Sequence, residues 1–129
     1  MIVVDTSALV EIAIAGPRAG ECRNALLEAD ELLISAGTVL ETLIVSGGRD
    51  AEPQMRAVLD GFGFRVVAVT EARAKAAAAG YRRYGKGWHA ASLNFGDSFA
   101  YALAKEQDCP LLFVGGDFAL TDVKPALGR

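Results

Sequence analysis

Four carboxylates stand alone in stretches that are otherwise uncharged and mostly apolar, and any fold for this chain has to house them. Asp5 follows Met1-Ile2-Val3-Val4. Glu41 is the only charge between Leu32 and Val45, and Asp97 the only one between His89 and Lys105. Asp117 closes the run from Pro110 to Gly116. Acids are rarely buried without a partner, and taking a lone carboxylate out of water is costly. None of the four has a Lys or Arg nearby in sequence. If the fold brings them together, they repel one another unless a cation sits among them. A hard divalent ion held by oxygen ligands is the natural neutraliser, so the pattern points to a metal site.

The chain has 129 residues, 52% hydrophobic and 22% charged. That fits one domain, 1–129, with a core of its own. No apolar run approaches the roughly 20 residues of a membrane span. The start lacks a basic n-region and a cleavage site, so no signal peptide is expected and the expected location is cytoplasmic. Cys22 and Cys109 lie far apart without metal-ligand spacing and read as reduced packing residues. The net charge of −3 does not advertise nucleic-acid binding. A nuclease of this charge needs a local basic patch, or a bound cation, to hold a phosphate backbone.

Short apolar runs alternate with helical patterns. Ile2 to Val4 reads as a buried strand feeding a helix from Ser7 to Ile14, which Gly16-Pro17 ends. Arg18 to Ala29 is helical, with Cys22, Ala25, Leu26 and Ala29 on one face. Glu31 to Ser35 is a strand. A helix with apolar positions Leu40, Leu43 and Ile44 then opens at Gly37-Thr38 and stops at Gly47-Gly48. Glu52 to Phe62 is a helix entered through Pro53, Phe64 to Val69 a strand, and Thr70 to Arg83 a helix capped by Thr70. After a loop from Tyr84 to His89, a helix begins near Asn94 to Asp97 and runs to Gln107. Leu111 to Val114 is a strand, with Val123 assigned to a short edge strand. This alternation predicts a parallel α/β sheet with helices on both faces.

In such a sheet all carboxyl ends lie along one edge, where ligands bind. Asp5 and Asp117 follow strands, and Glu41 and Asp97 sit in the first turns of helices that start near that edge, so the topology can gather all four. Each acid also has a plainer reading. Asp5 fits a turn, Thr38-Val39-Leu40-Glu41 matches a capping box, Asp97 fits an N-cap, and Gly115-Gly116-Asp117 fits a turn. Caps normally face water, however, whereas these acids are embedded in apolar sequence. No Walker lysine follows Gly115-Gly116, and Ser7 has no evident histidine base. The run from Arg82 and Arg83 through Lys86 to His89 mixes cations with aromatics. It fits a nucleic-acid contact and equally a solvated helix end.

The blocks Ile2-Val3-Val4-Asp5-Thr6-Ser7-Ala8-Leu9, Leu40-Glu41-Thr42, Leu93-Asn94-Phe95-Gly96-Asp97-Ser98 continuing to Ala104, and Leu111-Leu112-Phe113-Val114-Gly115-Gly116-Asp117-Phe118 resemble the PIN-domain ribonucleases, in particular the VapC-type toxins of toxin–antitoxin pairs. The resemblance spans essentially the whole chain in the right order. It implies a PIN-like three-layer α/β sandwich, a central parallel sheet flanked by helices. It makes Asp5 and Asp97 the primary ligands of Mg²⁺ or Mn²⁺, with Glu41 and Asp117 completing the acidic cluster partly through water. Ser7 would hold Asp5 or a water by its hydroxyl. Family members often carry Asn or Asp where this chain has Gly116, which leaves open whether Asp122 assists Asp117. The resemblance further implies an RNA substrate, a homodimer, and a small VapB-type antitoxin whose C-terminal tail enters the acidic groove.

The function expected is therefore metal-assisted hydrolysis of RNA phosphodiesters, giving by family analogy a 5′-phosphate and a 3′-hydroxyl. A phosphatase of the haloacid-dehalogenase type needs a second Asp two residues after the first, where this chain has Ser7. A receiver domain needs an acidic pair near the first strand and a lysine after the last. A PIN-fold binding module without turnover is the third alternative, and the intact acidic quartet argues against it. Arg82, Arg83, Lys86 and His89 are the candidate RNA contacts, and Asp5, Ser7, Glu41, Asp97 and Asp117 the candidate catalytic residues.

Overall fold

The first apolar run forms the strand β1, Ile2–Val4, and sits at the centre of the molecule. It pairs in parallel with β2, Leu32–Ser35, on one side and with β4, Leu111–Leu112, on the other. Strand β3, Arg65–Val67, adds outside β2, again in parallel, giving the order β3-β2-β1-β4. The structure is a computed structural model and describes residues 1–128.

Six helices connect these strands: α1, Thr6–Ala13; α2, Ala19–Glu28; α3, Ala36–Gly48; α4, Glu52–Gly61; α5, Glu71–Tyr84; and α6, Phe95–Gln107. Strand side chains alternate between faces, and the core divides accordingly. Val3, Leu33, Val67 and Leu111 pack with Ala100, Tyr101 and Leu103 of α6 and Tyr84 of α5. On the other face Val4, Leu32, Ile34 and Leu112 pack with Leu9 and Ile12 of α1, Cys22 and Leu26 of α2, and Met55 of α4. The result is a three-layer sandwich, helices on a parallel sheet on helices. Cys22 and Cys109 are both buried and unbridged. No helix among the described residues is long and apolar enough to cross a membrane.

Three local expectations are corrected. Residue Val123 is in no strand; the terminal segment joins the sheet edge through an isolated bridge between Leu111 and Pro125, and Val123 itself packs into the core beside Leu111. The helix α3 is capped by Ser35, whose side chain accepts the Gly37 amide at 3.2 Å. Strand β2 therefore runs straight into the helix, Thr38 lies inside it, and the capping-box reading of Thr38 and Glu41 falls. Helix α3 also turns Leu40 and Ile44 to solvent, 62% and 66% exposed. It buries a stripe of hydroxyls instead: Thr38, Thr42 and Ser46.

Candidate active site

From β1 the chain adds β2 and then β3 on one side of that strand and returns to add β4 on the other. The chain thus reverses direction of travel between β1 and β4, the place where an open parallel sheet forms a crevice at its carboxyl edge. Asp5 caps α1 at that point. Its Oδ2 accepts both the Ser7 amide at 3.0 Å and the Ser7 hydroxyl at 2.7 Å. The same hydroxyl accepts the Val114 amide, just past β4, at 3.0 Å. One serine therefore ties the two strand ends together across the crevice.

Asp5 is 2% exposed, and its Oδ1 is buried without a hydrogen-bond partner. Burial pushes its carboxyl up to about 7, against the Ser7 hydrogen bonds, with the nearby charges of Asp97 and Glu41 adding to the rise. A buried carboxylate oxygen left unpaired is costly.

Asp97 is the third residue of α6. Asn94 caps the helix by accepting the Asp97 amide at 2.9 Å, and Asp97 Oδ2 accepts the Asn94 amide at 3.0 Å, a reciprocal capping box. The N-cap reading of Asp97 is thus corrected by three positions, and Asn94 is the cap. Burial raises the Asp97 carboxyl to about 6, with Glu41 and Asp117 contributing by repulsion and the Asn94 amide opposing. A carboxylate serving only as a cap is normally held at or below its usual range by the amides it accepts.

Glu41 comes from the middle of α3. Thr6 donates its hydroxyl to Glu41 Oε1 at 2.6 Å and lies 3.1 Å from the Thr42 hydroxyl. Its carboxylate lies so close to the α6 backbone that a Cβ at Gly96 would overlap it. Thr6, Thr42 and Gly96 were not among the residues picked from sequence. The signal for Thr6 was present, a hydroxyl directly after the first acid. Gly96 acts through the close approach of two helices, which leaves no pattern along the chain.

Asp5, Glu41 and Asp97 thus line one open groove of about 310 Å³, with Thr6 and Ser7 at its floor. Glu11 also lines it, but its Oε2 is taken by the Arg18 amide at 2.6 Å. Asp117 stands exposed on the turn after β4 and is not part of the groove wall, although its charge reaches Asp97. Asp122 belongs elsewhere. It accepts the Tyr101 hydroxyl at 2.7 Å and pairs with Lys105 at 3.2 Å and Arg83 at 3.6 Å.

The candidate RNA contacts do not join the groove. Arg83 is held by Asp122 and lies over the Tyr84 ring. His89 Nδ1 accepts the Ala91 amide, and its ring packs edge-on against Tyr84. Arg82 lines a separate surface depression between α5 and α6 with Tyr81, Trp88, Phe95 and Phe99. Lys86 is exposed on the intervening loop.

Among the described residues, no three acid, imidazole or thiolate side chains converge tightly enough to cage a metal ion. The expected tight four-acid cluster is therefore looser than the sequence suggested. The donor set still fits a hard cation. Mg²⁺ is ordinarily held by one or two carboxylates, keeping waters and taking substrate oxygens for the rest, and Asp5 Oδ1 is an oxygen lacking any other partner.

Comparison with known proteins agrees with this geometry. The family described as PIN domain matches residues 2–124. The chain is 46% identical over 125 residues to a Ribonuclease VapC of Mycolicibacterium smegmatis, covering 95% of this chain and 97% of that one. It is also 46% identical over 126 residues to Ribonuclease VapC30 of Mycobacterium tuberculosis, covering 95% of both. Among solved structures, VapC20 of Mycobacterium tuberculosis, described as a sarcin-ricin loop cleaving toxin, aligns with a TM-score of 0.74 at 22% identity over 97% of this chain and 100% of that one. A toxin–antitoxin complex from Klebsiella pneumoniae aligns with a TM-score of 0.71 at 21% identity over 100% of both chains. At such identities the structural likeness speaks for the fold, and the family match and the close relatives carry the assignment: this chain belongs to the PIN domain family.

Proposed function

We propose that the chain is a metal-dependent endoribonuclease, the toxin of a VapBC-type toxin–antitoxin pair, working with Mg²⁺ or Mn²⁺. The observation that carries the reading is the unpartnered, buried Oδ1 of Asp5, a residue that lines one groove with Glu41 and Asp97. Relatives named VapC ribonuclease at 46% identity over nearly the whole chain support the same substrate class, and the toxin–antitoxin complex with this fold supports a small protein partner.

Asp5 and Asp97 would hold the cation, with Glu41 at second rank. When bound, it would supply Lewis-acid polarisation of the phosphodiester and make water a usable nucleophile near neutral pH. The chain's own residues do the positioning. Ser7 holds Asp5 by its Oδ2 and so leaves the other oxygen without a protein partner. Thr6 fixes the Glu41 carboxylate by one oxygen, leaving the second for a water or its proton. Asn94 holds Asp97 at the start of α6. Asp117, exposed beside this set, would act on the groove through its charge or through water.

The direct test incubates RNA with the purified protein in Mg²⁺ and in EDTA, beside Asp5→Asn and Asp97→Asn. Cleavage only with metal, lost in both variants, is the expected result. Cleavage in EDTA, or full activity in both variants, refutes the mechanism. An Mn²⁺ titration separates the alternative of a binding module without turnover, which would show weak affinity or none.

A further inference from the structure

We infer that Arg49 is a substrate-binding residue that holds a phosphate of the RNA backbone at one end of the acidic groove. The inference rests on the ribonuclease reading above and names a contact which that reading leaves open. Glu41, Val45 and Arg49 recur every four residues along α3 and its C-cap, so they share one helix face, and all three line the groove. At about 1.5 Å per residue, Arg49 stands roughly 12 Å along the helix from Glu41. Among the described residues it is the sole cation in the groove wall, and among them it makes no ion pair, whereas Arg18, Arg56, Arg65, Arg73, Arg83 and Lys105 all do.

A chain of net charge −3 with four carboxylates lining one groove, Asp5, Glu11, Glu41 and Asp97, repels a polyanion on approach. A cation held by the carboxylates would answer that only at the phosphate being cleaved. A planar guanidinium, free of internal partners and displaced along the groove, matches a neighbouring phosphate in charge and in hydrogen-bonding geometry. Between the two charged ends, the wall carries the apolar side chains of Val10 from α1, Ile14 at its C-cap and Val45 from α3, beside Glu11, whose Oε2 already accepts the Arg18 amide. Sugar and base surface can pack against these apolar side chains.

A structural role is the competing account, because a cation at a helix C-terminus is favoured by the helix dipole. The test separates the two. In an Asp97→Asn background that blocks turnover, Arg49→Gln and Arg49→Lys are titrated by fluorescence anisotropy with a short fluorescein-labelled single-stranded RNA of mixed sequence, across a series of salt concentrations. Arg49→Gln should weaken binding roughly three- to tenfold and reduce the slope of log affinity against log salt by about 0.7, the signature of one lost phosphate contact on a single strand. Arg49→Lys should keep the slope. In the otherwise wild-type enzyme, Arg49→Gln should raise KM and leave kcat within about twofold. Unchanged affinity and slope in Arg49→Gln, with only its melting temperature lowered, overturn the inference while leaving the ribonuclease reading intact. A wild-type protein that neither binds nor cleaves RNA in Mg²⁺ overturns both.

Discussion

The Ser7 hydroxyl donates to Asp5 at 2.7 Å while accepting the Val114 amide at 3.0 Å, so the first acid is locked to the strand on the far side of the crevice. This is why a short polar side chain two residues after Asp5 matters more than its own chemistry suggests. It settles which Asp5 oxygen is satisfied and which is left over.

Replacing Ser7 by Ala removes both bonds at once and leaves the Val114 amide unpaired. The expected cost is about 1–3 kcal/mol, read as a lower urea midpoint with an unchanged slope. RNA cleavage should fall by roughly tenfold or more, because a misplaced ligand is costly even when chemically intact. Unaltered stability and unaltered turnover in Ser7→Ala would show that Asp5 is held by other means.

Asp5 at about 7 and Asp97 at about 6 both lie above their ordinary 3.8. Between those values the metal-free folded protein binds more protons than the unfolded chain, so stability declines as pH rises. Their contribution is fully present below about pH 4 and is gone by about pH 7. Mg²⁺ binds the ionised carboxylates, and its stabilisation therefore appears over the same window. Thermal melts should show the metal-free protein losing stability from pH 5 to pH 8, with Mg²⁺ restoring it at pH 8 and doing little at pH 5. Asp5→Asn should flatten this profile and melt higher than the metal-free wild type at pH 8, while losing cleavage. Parallel pH profiles for wild type and Asp5→Asn would contradict the assignment of this dependence to Asp5.

Gly96 keeps α6 clear of the Glu41 carboxylate, which a Cβ would overlap. The obstructed group is the end of a flexible side chain, so Gly96→Ala should shift Glu41 away from Thr6 and cost less than about 1 kcal/mol of stability, Ala being the better helix former. Cleavage should nevertheless fall about as far as in Glu41→Ala. The pair should be strongly non-additive, the double variant being no worse than Glu41→Ala alone. Additive losses in the cycle would mean that Gly96 acts through something other than Glu41.

Asp122 gathers Tyr101, Lys105 and Arg83 outside the groove, and the hydrogen bond from Tyr101 together with both cations holds its carboxyl below the usual range. Asp122→Asn should lower stability by about 1–3 kcal/mol and leave Mn²⁺ affinity, measured by calorimetry, where it was. A marked loss of metal affinity without loss of stability would return Asp122 to the acidic site.

Much of this molecule was legible before folding. Strands β1 and β2 announced themselves as apolar runs, Thr70 and Pro53 marked helix starts, and isolated acids at strand ends pointed to the carboxyl edge. Other features misled for physical reasons. Thr38 and Glu41 fit a capping box by spacing, but Ser35 took the cap because β2 feeds α3 without a turn. Arg83 and His89 looked free from their neighbours in sequence, yet Asp122, distant along the chain, pairs with Arg83, and the loop folds the His89 ring back against Tyr84.

The sequence by itself determined the alternation of strand and helix, hence the parallel sheet, and it determined which acids lack a local partner. Both follow from short-range periodicity and from the cost of burying charge. Only the tertiary structure decided that Asp5, Glu41 and Asp97 share a groove while Asp117 stays at its margin, that Thr6 and Gly96 position Glu41, and that Arg49 is left unpaired beside them. Those outcomes depend on where three helices meet a sheet edge, and contacts between residues dozens of positions apart leave no periodic trace along the chain.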